Sequence, residues 1–382
     1  MSFSFKKISF YVLLIGCVTW ACVKPITDFV QIDSTSFTTI EADISDDAQL
    51  SKVRLTSSAN RLTSQLALPI SKAVVSVTDQ DGIKTTFTEG IPVGTYYPPK
   101  GFVGKVGSSY KLNVRMLTGQ TYESTTETMK AVPEIENAIS RFEIFDQYSK
   151  VDIRRAGFTV YLDFKDTPAE GDFYLWNWKH YSKVGYCATC TDGGTFDFKR
   201  NECVQPRNRT EAILNYMCDG NCWDITTNND LNVFSDVLTN GQRVVGRQVA
   251  RIPFDNWTPY YFRLEQRSVT KNAYAFYQSL ISQVQSSGSL FDVPAETRFS
   301  LNIKSLTNPT ERVLGIFNVF SVRKKIFIID RRKDIPAGEF PIITVVPGET
   351  YACPPGSVGC LDKAPCVESP TRTKITPEGW VF

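Results

Sequence analysis

The sequence predicts a mainly β protein, an immunoglobulin-like sandwich followed by a larger β-rich domain carrying one amphipathic helix. Three observations predict it: short runs of alternating apolar and polar residues recur, clusters of Asp, Gly and Gln separate them, and a single segment repeats its apolar residues at helical spacing.

The chain opens on a segment outside any fold. Lys6 and Lys7 precede the apolar run Ile8–Ile15, and two cysteines preceded by small residues follow, at Gly16-Cys17 and Ala21-Cys22. This is the pattern of a bacterial lipoprotein export signal. The apolar run falls well short of the roughly 20 residues a membrane-spanning helix needs. Leu14-Ile15-Gly16-Cys17 is the better local lipobox, whereas Thr19-Trp20-Ala21-Cys22 offers only the small residue before the cysteine. Parity favours Cys22. Of ten cysteines, processing there removes Cys17 and ties up Cys22 as a thioether. That leaves Cys187, Cys190, Cys203, Cys218, Cys222, Cys353, Cys360 and Cys366, an even set, as complete disulfide pairing requires. Residues 1–21 therefore read as a signal peptide and 22–33 as a lipidated tether, with Cys17 as the alternative lipidation site.

Processing also changes the charge. Residues 1–21 carry two lysines and no acid, so 40 basic side chains remain against 40 acidic ones. A balanced chain sets up no long-range field for nucleic acid or anionic lipid, so nucleic acid is not an expected partner and attachment rests on the acyl chains. About 360 mature residues exceed the usual single-domain size, which predicts two domains.

Residues 34–131 read as the sandwich. Thr38-Thr39-Ile40-Glu41-Ala42, Lys52-Val53-Arg54-Leu55, Ala73-Val74-Val75-Ser76-Val77 and Tyr110-Lys111-Leu112-Asn113-Val114 largely alternate, as half-buried strands do. Asp79-Gln80-Asp81-Gly82 and Leu117-Thr118-Gly119-Gln120 are turn clusters that join hairpins. Ala131-Val132-Pro133-Glu134 reads as a domain exit.

Residues 134–337 read as the second, β-rich domain. In Phe173–Lys179 the alternation puts Phe173, Leu175, Asn177 and Lys179 on one face and Tyr174, Trp176 and Trp178 on the other. The aromatic face is either sandwich core or a ligand platform, so Trp176, Trp178 and Trp223 are the candidate contacts. Tyr260–Leu264, Arg298–Ile303, Val313–Phe320 and Lys325–Ile329 are further expected strands. Ala273, Phe276, Tyr277, Leu280, Ile281 and Val284 recur at helical spacing after a capping Thr270, which predicts a helix over 270–287. Residues 338–382 form a Cys- and Pro-rich tail.

The cysteines carry the strongest chemistry. Cys187-Ala188-Thr189-Cys190 with Cys218-Asp219-Gly220-Asn221-Cys222 vaguely resembles a zinc site, but Cys203 intervenes and an exported chain meets an oxidising compartment. Disulfides are expected, and no metal or cofactor. Five cysteines lie in this cluster and three in the tail, so complete pairing requires a bond between the clusters. His180 is the only histidine, which excludes multi-histidine metal sites and leaves any Ser-His-Asp or Cys-His machinery only this residue to use. Acid pairs such as Asp46-Asp47 and Asp163 with Asp166 name no site by themselves.

Taken together, the chain resembles a family of Bacteroidota lipoproteins known as domain of unknown function 4249. The resemblance rests on Cys22-Val23-Lys24-Pro25, Thr39-Ile40-Glu41-Ala42, Ala73–Asp79, Asn272–Tyr277, Gly288-Ser289-Leu290-Phe291, Val313–Phe317 with Ser321-Val322, and the Gly379-Trp380 close. It implies an outer-membrane lipoprotein and an accessory ligand-capture or scaffolding role beside a TonB-dependent transporter or another outer-membrane barrel. It brings no catalytic residues, and the face of the membrane is left open. The expected function is non-enzymatic; a surface hydrolase using carboxylates and a purely structural envelope protein are the alternatives.

Overall fold

The computed structural model describes residues 36–58, 67–147, 154–228, 230–285, 299–340 and 362–381. The signal segment, Cys17, Cys22, Cys353 and Cys360 lie outside them.

Strands are numbered along the chain. The first nine are β1 (Thr38–Ser45), β2 (Lys52–Ser58), β3 (Ala67–Pro69), β4 (Val74–Asp79), β5 (Lys84–Glu89), β6 (Thr95–Tyr97), β7 (Ser109–Arg115), β8 (Thr121–Ser124) and β9 (Glu127–Thr128). Next come β10 (Ile135–Gln147), β11 (Arg154–Lys165), β12 (Phe173–Lys183), β13 (Tyr186–Cys190), β14 (Thr195–Asp197), β15 (Glu202–Val204) and β16 (Leu214–Met217). Then follow β17 (Trp223–Thr227), β18 (Asn232–Ser235), β19 (Arg243–Pro253) and β20 (Tyr260–Val269). Helix α1 (Lys271–Gln285) precedes β21 (Ile303–Ser305), β22 (Leu314–Phe320), β23 (Val322–Ile329) and β24 (Arg372–Thr373). The chain is mainly β with this one α-helix among the described residues.

The first unit is a folded-over sheet. Its path runs β21-β8-β7-β4-β5-β6-β2-β1-β22 and bends at β5, which pairs with β4 along its first part and with β6 at Thr88 and Glu89. The alternation explains the core. Ile40, Ala42 and Ile44 of β1 turn inward, meeting Val53, Leu55, Val75, Val77, Leu112 and Val114. Thr39, Glu41 and Asp43 therefore turn outward. At the turn after β4, the Asp79 carboxylate accepts from the amides of Asp81 and Ile83, and Gly82 takes φ +79°.

Two strands from far along the chain complete this unit, a difference from the expected boundary at 131–134. β21 pairs with β8, and β22 lies parallel to β1 with Ala42 opposite Phe317. A parallel partner cannot come from a hairpin, so it has to come from a remote segment. Gly315 makes that approach possible. At φ +95°, a Cβ there would sit 2.1 Å from the Ile40 carbonyl oxygen. Val313–Phe320 and Lys325–Ile329, adjacent in sequence, thus end in different sheets. Of the expected strand Arg298–Ile303, only Ile303 is in a strand among the described residues.

The second unit packs two sheets on one core. The three-stranded sheet β10-β11-β19 faces the six-stranded sheet β23-β20-β12-β17-β24, to which β18 adds alongside β12. Phe158, Val160, Leu162 and Phe164 of β11 meet Tyr174 and Trp176 of β12 and Phe262 and Leu264 of β20. The junction with the first unit is tight: the hydroxyls of Ser268 and Ser321 both donate to the Lys130 carbonyl at 2.7 Å. Val322 N–H donates to Asp46, and Asp46 and Asp47 pair with Arg323 and Lys324 across it.

Helix α1 follows β20 directly. The Thr270 hydroxyl accepts from the Ala273 amide at 3.4 Å, a weak cap at the expected position. Ala273 and Phe276 bury against Leu175, Val233 and Val269 of the second unit and Ile316 of the first. One helix face therefore closes over both units.

A cysteine-rich lobe projects from the six-stranded sheet, built on the small pairs β13-β16 and β14-β15. Disulfides Cys187–Cys218 and Cys190–Cys203 hold it, and Cys222–Cys366 joins it to the tail. The tail then adds β24 to β17, and Trp380 packs against Trp223 and Tyr261.

Candidate functional site

The aromatic platform is core, which corrects the candidate contacts at Trp176 and Trp223. Trp176 has no exposure, and its indole N–H donates to Gln266 at 2.9 Å. Trp223 is 2% exposed beneath Trp380. For Trp176 the physical reason is the facing layer: this side of β12 must cover β11 and β19, and water is expelled between them; Trp223 lies on the other face, where the tail covers it. Trp178, nearer the strand's end, stays half-buried against Phe262 and reaches a cleft.

His180 continues the aromatic face. It stacks on Tyr260 at 3.6 Å, its Nδ1 lies 2.8 Å from the Tyr261 carbonyl, and burial lowers its pKa. A neutral ring donating to that carbonyl satisfies all three facts.

The cysteine sulfurs of residues 187, 218 and 222 lie within 4.8 Å of one another, a spacing a metal ion can use. Each is bonded to another sulfur, however, and it is a thiolate that ligates zinc. Asp166, Asp46 and Asp47 are likewise engaged, the first by the Tyr174 hydroxyl and the other two at the junction.

The opposite face of the six-stranded sheet carries the unusual chemistry. On β20, Arg263, Glu265 and Arg267 share one side because strand side chains repeat every second residue. Glu265 is 1% exposed and accepts from Arg263 at 3.1 Å and from Arg267 at 2.6 Å. Burial pushes its carboxyl up, and Arg267, Lys179 and Arg263 outweigh that and hold it below the usual range. Pairing sets Asn177 opposite Glu265 and Lys179 opposite Arg263. These are the polar residues of the face that the alternation of β12 separated from the tryptophans.

The first unit supplies the other wall. Asp43 of β1 and Lys52 of β2 are cross-strand partners on its outer face. Burial raises the pKa of Asp43 against the pull of Arg267 and Lys52. Burial lowers that of Lys179, with Glu265 opposing. Between the walls lies a cleft of about 420 Å³ lined by Asp43, Lys52, Asn177, Lys179, Glu265 and Arg267, with Trp178 also reaching it. Pro370 of the disulfide-tied tail lines it too. Asp43 and Lys52 also line a second groove of about 580 Å³, where Phe276, Tyr277 and Leu280 of α1 supply an apolar side.

Lys179 and Lys52 make no hydrogen bond or ion pair among the described residues. The Asn228 side-chain amide donates to Oδ1 of Asn177 at 3.3 Å, and the Asn177 NH₂ group has no partner among the described residues. The arrangement is therefore a polar cleft with donors in excess. A signal for it exists in the sequence: three charges at every second position of Tyr260–Val269, a strand otherwise apolar enough for a core.

No curated protein matches the chain. The family described as domain of unknown function (DUF4249) matches residues 25–326, which takes in the first unit, the second up to the middle of β23, helix α1 and every residue named in the cleft except Pro370. By that match the chain belongs to the family of domain of unknown function 4249.

Proposed function

We propose that this protein is a non-enzymatic, lipid-anchored binding protein of the outer membrane, an accessory partner that captures a ligand for a TonB-dependent transporter or another barrel. The observation that carries the reading is the cleft between the two units, whose unpaired donors suit binding. The lipobox cysteines supply the anchor, Cys22 ahead of Cys17. Among the described residues no helix is long and apolar enough to cross a membrane, and lipid attachment needs none.

Affinity purification in mild detergent tests the partner. A co-purifying barrel supports the reading, and a monomeric protein without one overturns it. Mass spectrometry of the N-terminal peptide decides between acylation at Cys22 and Cys17. Hydrolysis of glycans or peptides, abolished by one Asp or Glu substitution, would overturn the non-enzymatic assignment.

A further inference from the structure

We infer that the cleft between the two units binds a small dianion, of phosphate or dicarboxylate type, through Lys179, Lys52 and the Asn177 amide. This rests on the capture reading above and names its ligand class.

The charge inventory leads there. Lys52, Lys179 and Arg267 line the cleft with two acids, Glu265 and Asp43, and Arg263 pairs with Glu265 beside them. Glu265 has both carboxylate oxygens occupied by the arginines. Burial raises the pKa of Asp43 against the pull of Arg267 and Lys52. The two lysines make no hydrogen bond or ion pair among the described residues; Lys52 is exposed, and Lys179 is half-buried. Charged groups removed from water are ordinarily paired, so a half-buried ammonium without a partner marks the place of an absent counter-charge. Burial lowers the pKa of Lys179, and the nearby Glu265 carboxylate only partly offsets it.

The donor set fits oxygen anions. Two ammonium groups and an amide NH₂ offer charge-assisted and neutral hydrogen bonds, and Arg267 adds positive potential behind them. Arg267 is itself held by Glu265 and lies 4.6 Å from the Phe320 ring centre, so the wall is positioned before any ligand arrives. A cleft of about 420 Å³ exceeds what a phosphate or a short dicarboxylate fills. The rest of a larger ligand has the adjoining groove under α1.

The test is calorimetric titration of the acylated mature protein in mild detergent, with inorganic phosphate and succinate as separate probes. Amine-reactive ester labelling, mapped by peptide mass spectrometry, runs alongside. Binding of either anion is expected, with Lys179 labelling slowed several-fold at saturation. Which anion binds more tightly assigns the headgroup chemistry. Lys179→Met is expected to weaken binding about tenfold or more, because it removes a charge-assisted bond, while Lys179→Arg keeps most of the affinity. Melting temperature checks the fold of both variants, and Lys52→Met provides an independent loss should Lys179→Met unfold. The inference is overturned if neither anion binds the wild type, or if both methionine variants bind as the wild type does. Failure here with a barrel still co-purifying removes only the ligand class. Anion binding without any barrel removes only the partner.

Discussion

Glu265→Gln is the sharpest perturbation of the cleft. The substitution keeps the side-chain volume and removes the one charge that two guanidiniums share. Glu265 is 1% exposed, while the arginine side chains are 13% and 14% exposed, so all three are largely out of water. At an effective dielectric of about 20, each contact near 3 Å has a Coulomb attraction of roughly 5 kcal/mol, most of it offset by desolvation. The variant forfeits that attraction and still carries the desolvation of Arg263 and Arg267. Breaking a buried ion network from one side costs about 3–5 kcal/mol. Urea unfolding of wild type and variant, followed by tryptophan fluorescence, should show a loss of that size. Replacing Arg263, Glu265 and Arg267 together by methionine should recover most of it, because no charge is then stranded. A loss below about 1 kcal/mol for Glu265→Gln would refute the reasoning, since it would mean the guanidiniums are hydrated.

The same pair of proteins gives a pH test. Glu265 has a folded pKa below its unfolded value of about 4.3, so its stabilisation is fully present above that pH and is lost as pH falls through the folded pKa. The stability gap between wild type and Glu265→Gln should hold from neutral pH to about pH 5 and close below about pH 4; a gap independent of pH would contradict the ionic origin. Replacing Cys222 and Cys366 by serine opens a loop with a sequence separation of 144. Chain entropy puts the loss at up to about 5 kcal/mol, and limited proteolysis should release the tail well before the core; a tail as resistant as the wild type would show that β24 and Trp380 suffice. Gly315→Ala should cost at least about 2 kcal/mol or prevent folding, because the new methyl meets the Ile40 carbonyl and the φ is left-handed; a melting temperature within a degree of wild type would refute the close approach. Trp176→Ala should cost about 3–5 kcal/mol by emptying the second core, while leaving anion titrations unchanged in whatever protein remains folded.

Where elements depend on neighbours in sequence, they were legible. The alternation in Thr38–Ala42 and Tyr110–Val114 names strands and their buried faces, Asp79–Gly82 names its turn, and the helix was placed within two residues of Lys271–Gln285. The alternation divides the faces of β12 as they stand, but it points to the aromatic one for chemistry. A strand's period separates two faces without saying which sheet or solvent each will meet. Only the facing layer of β11 and β19 made Trp176 core and left Asn177 and Lys179 to the cleft.

By itself, then, the sequence determined a mainly β chain, one amphipathic helix and membership of its family, because these reside in local period, spacing and order. Tertiary structure alone decided that β22 crosses back to lie parallel to β1, that Cys222 is the residue tied to the tail, and that Asp43 and Lys52 meet Lys179, Glu265 and Arg267. Those contacts join residues more than a hundred positions apart. Which remote pairs meet depends on how whole sheets bury their apolar faces, and no local pattern carries that information.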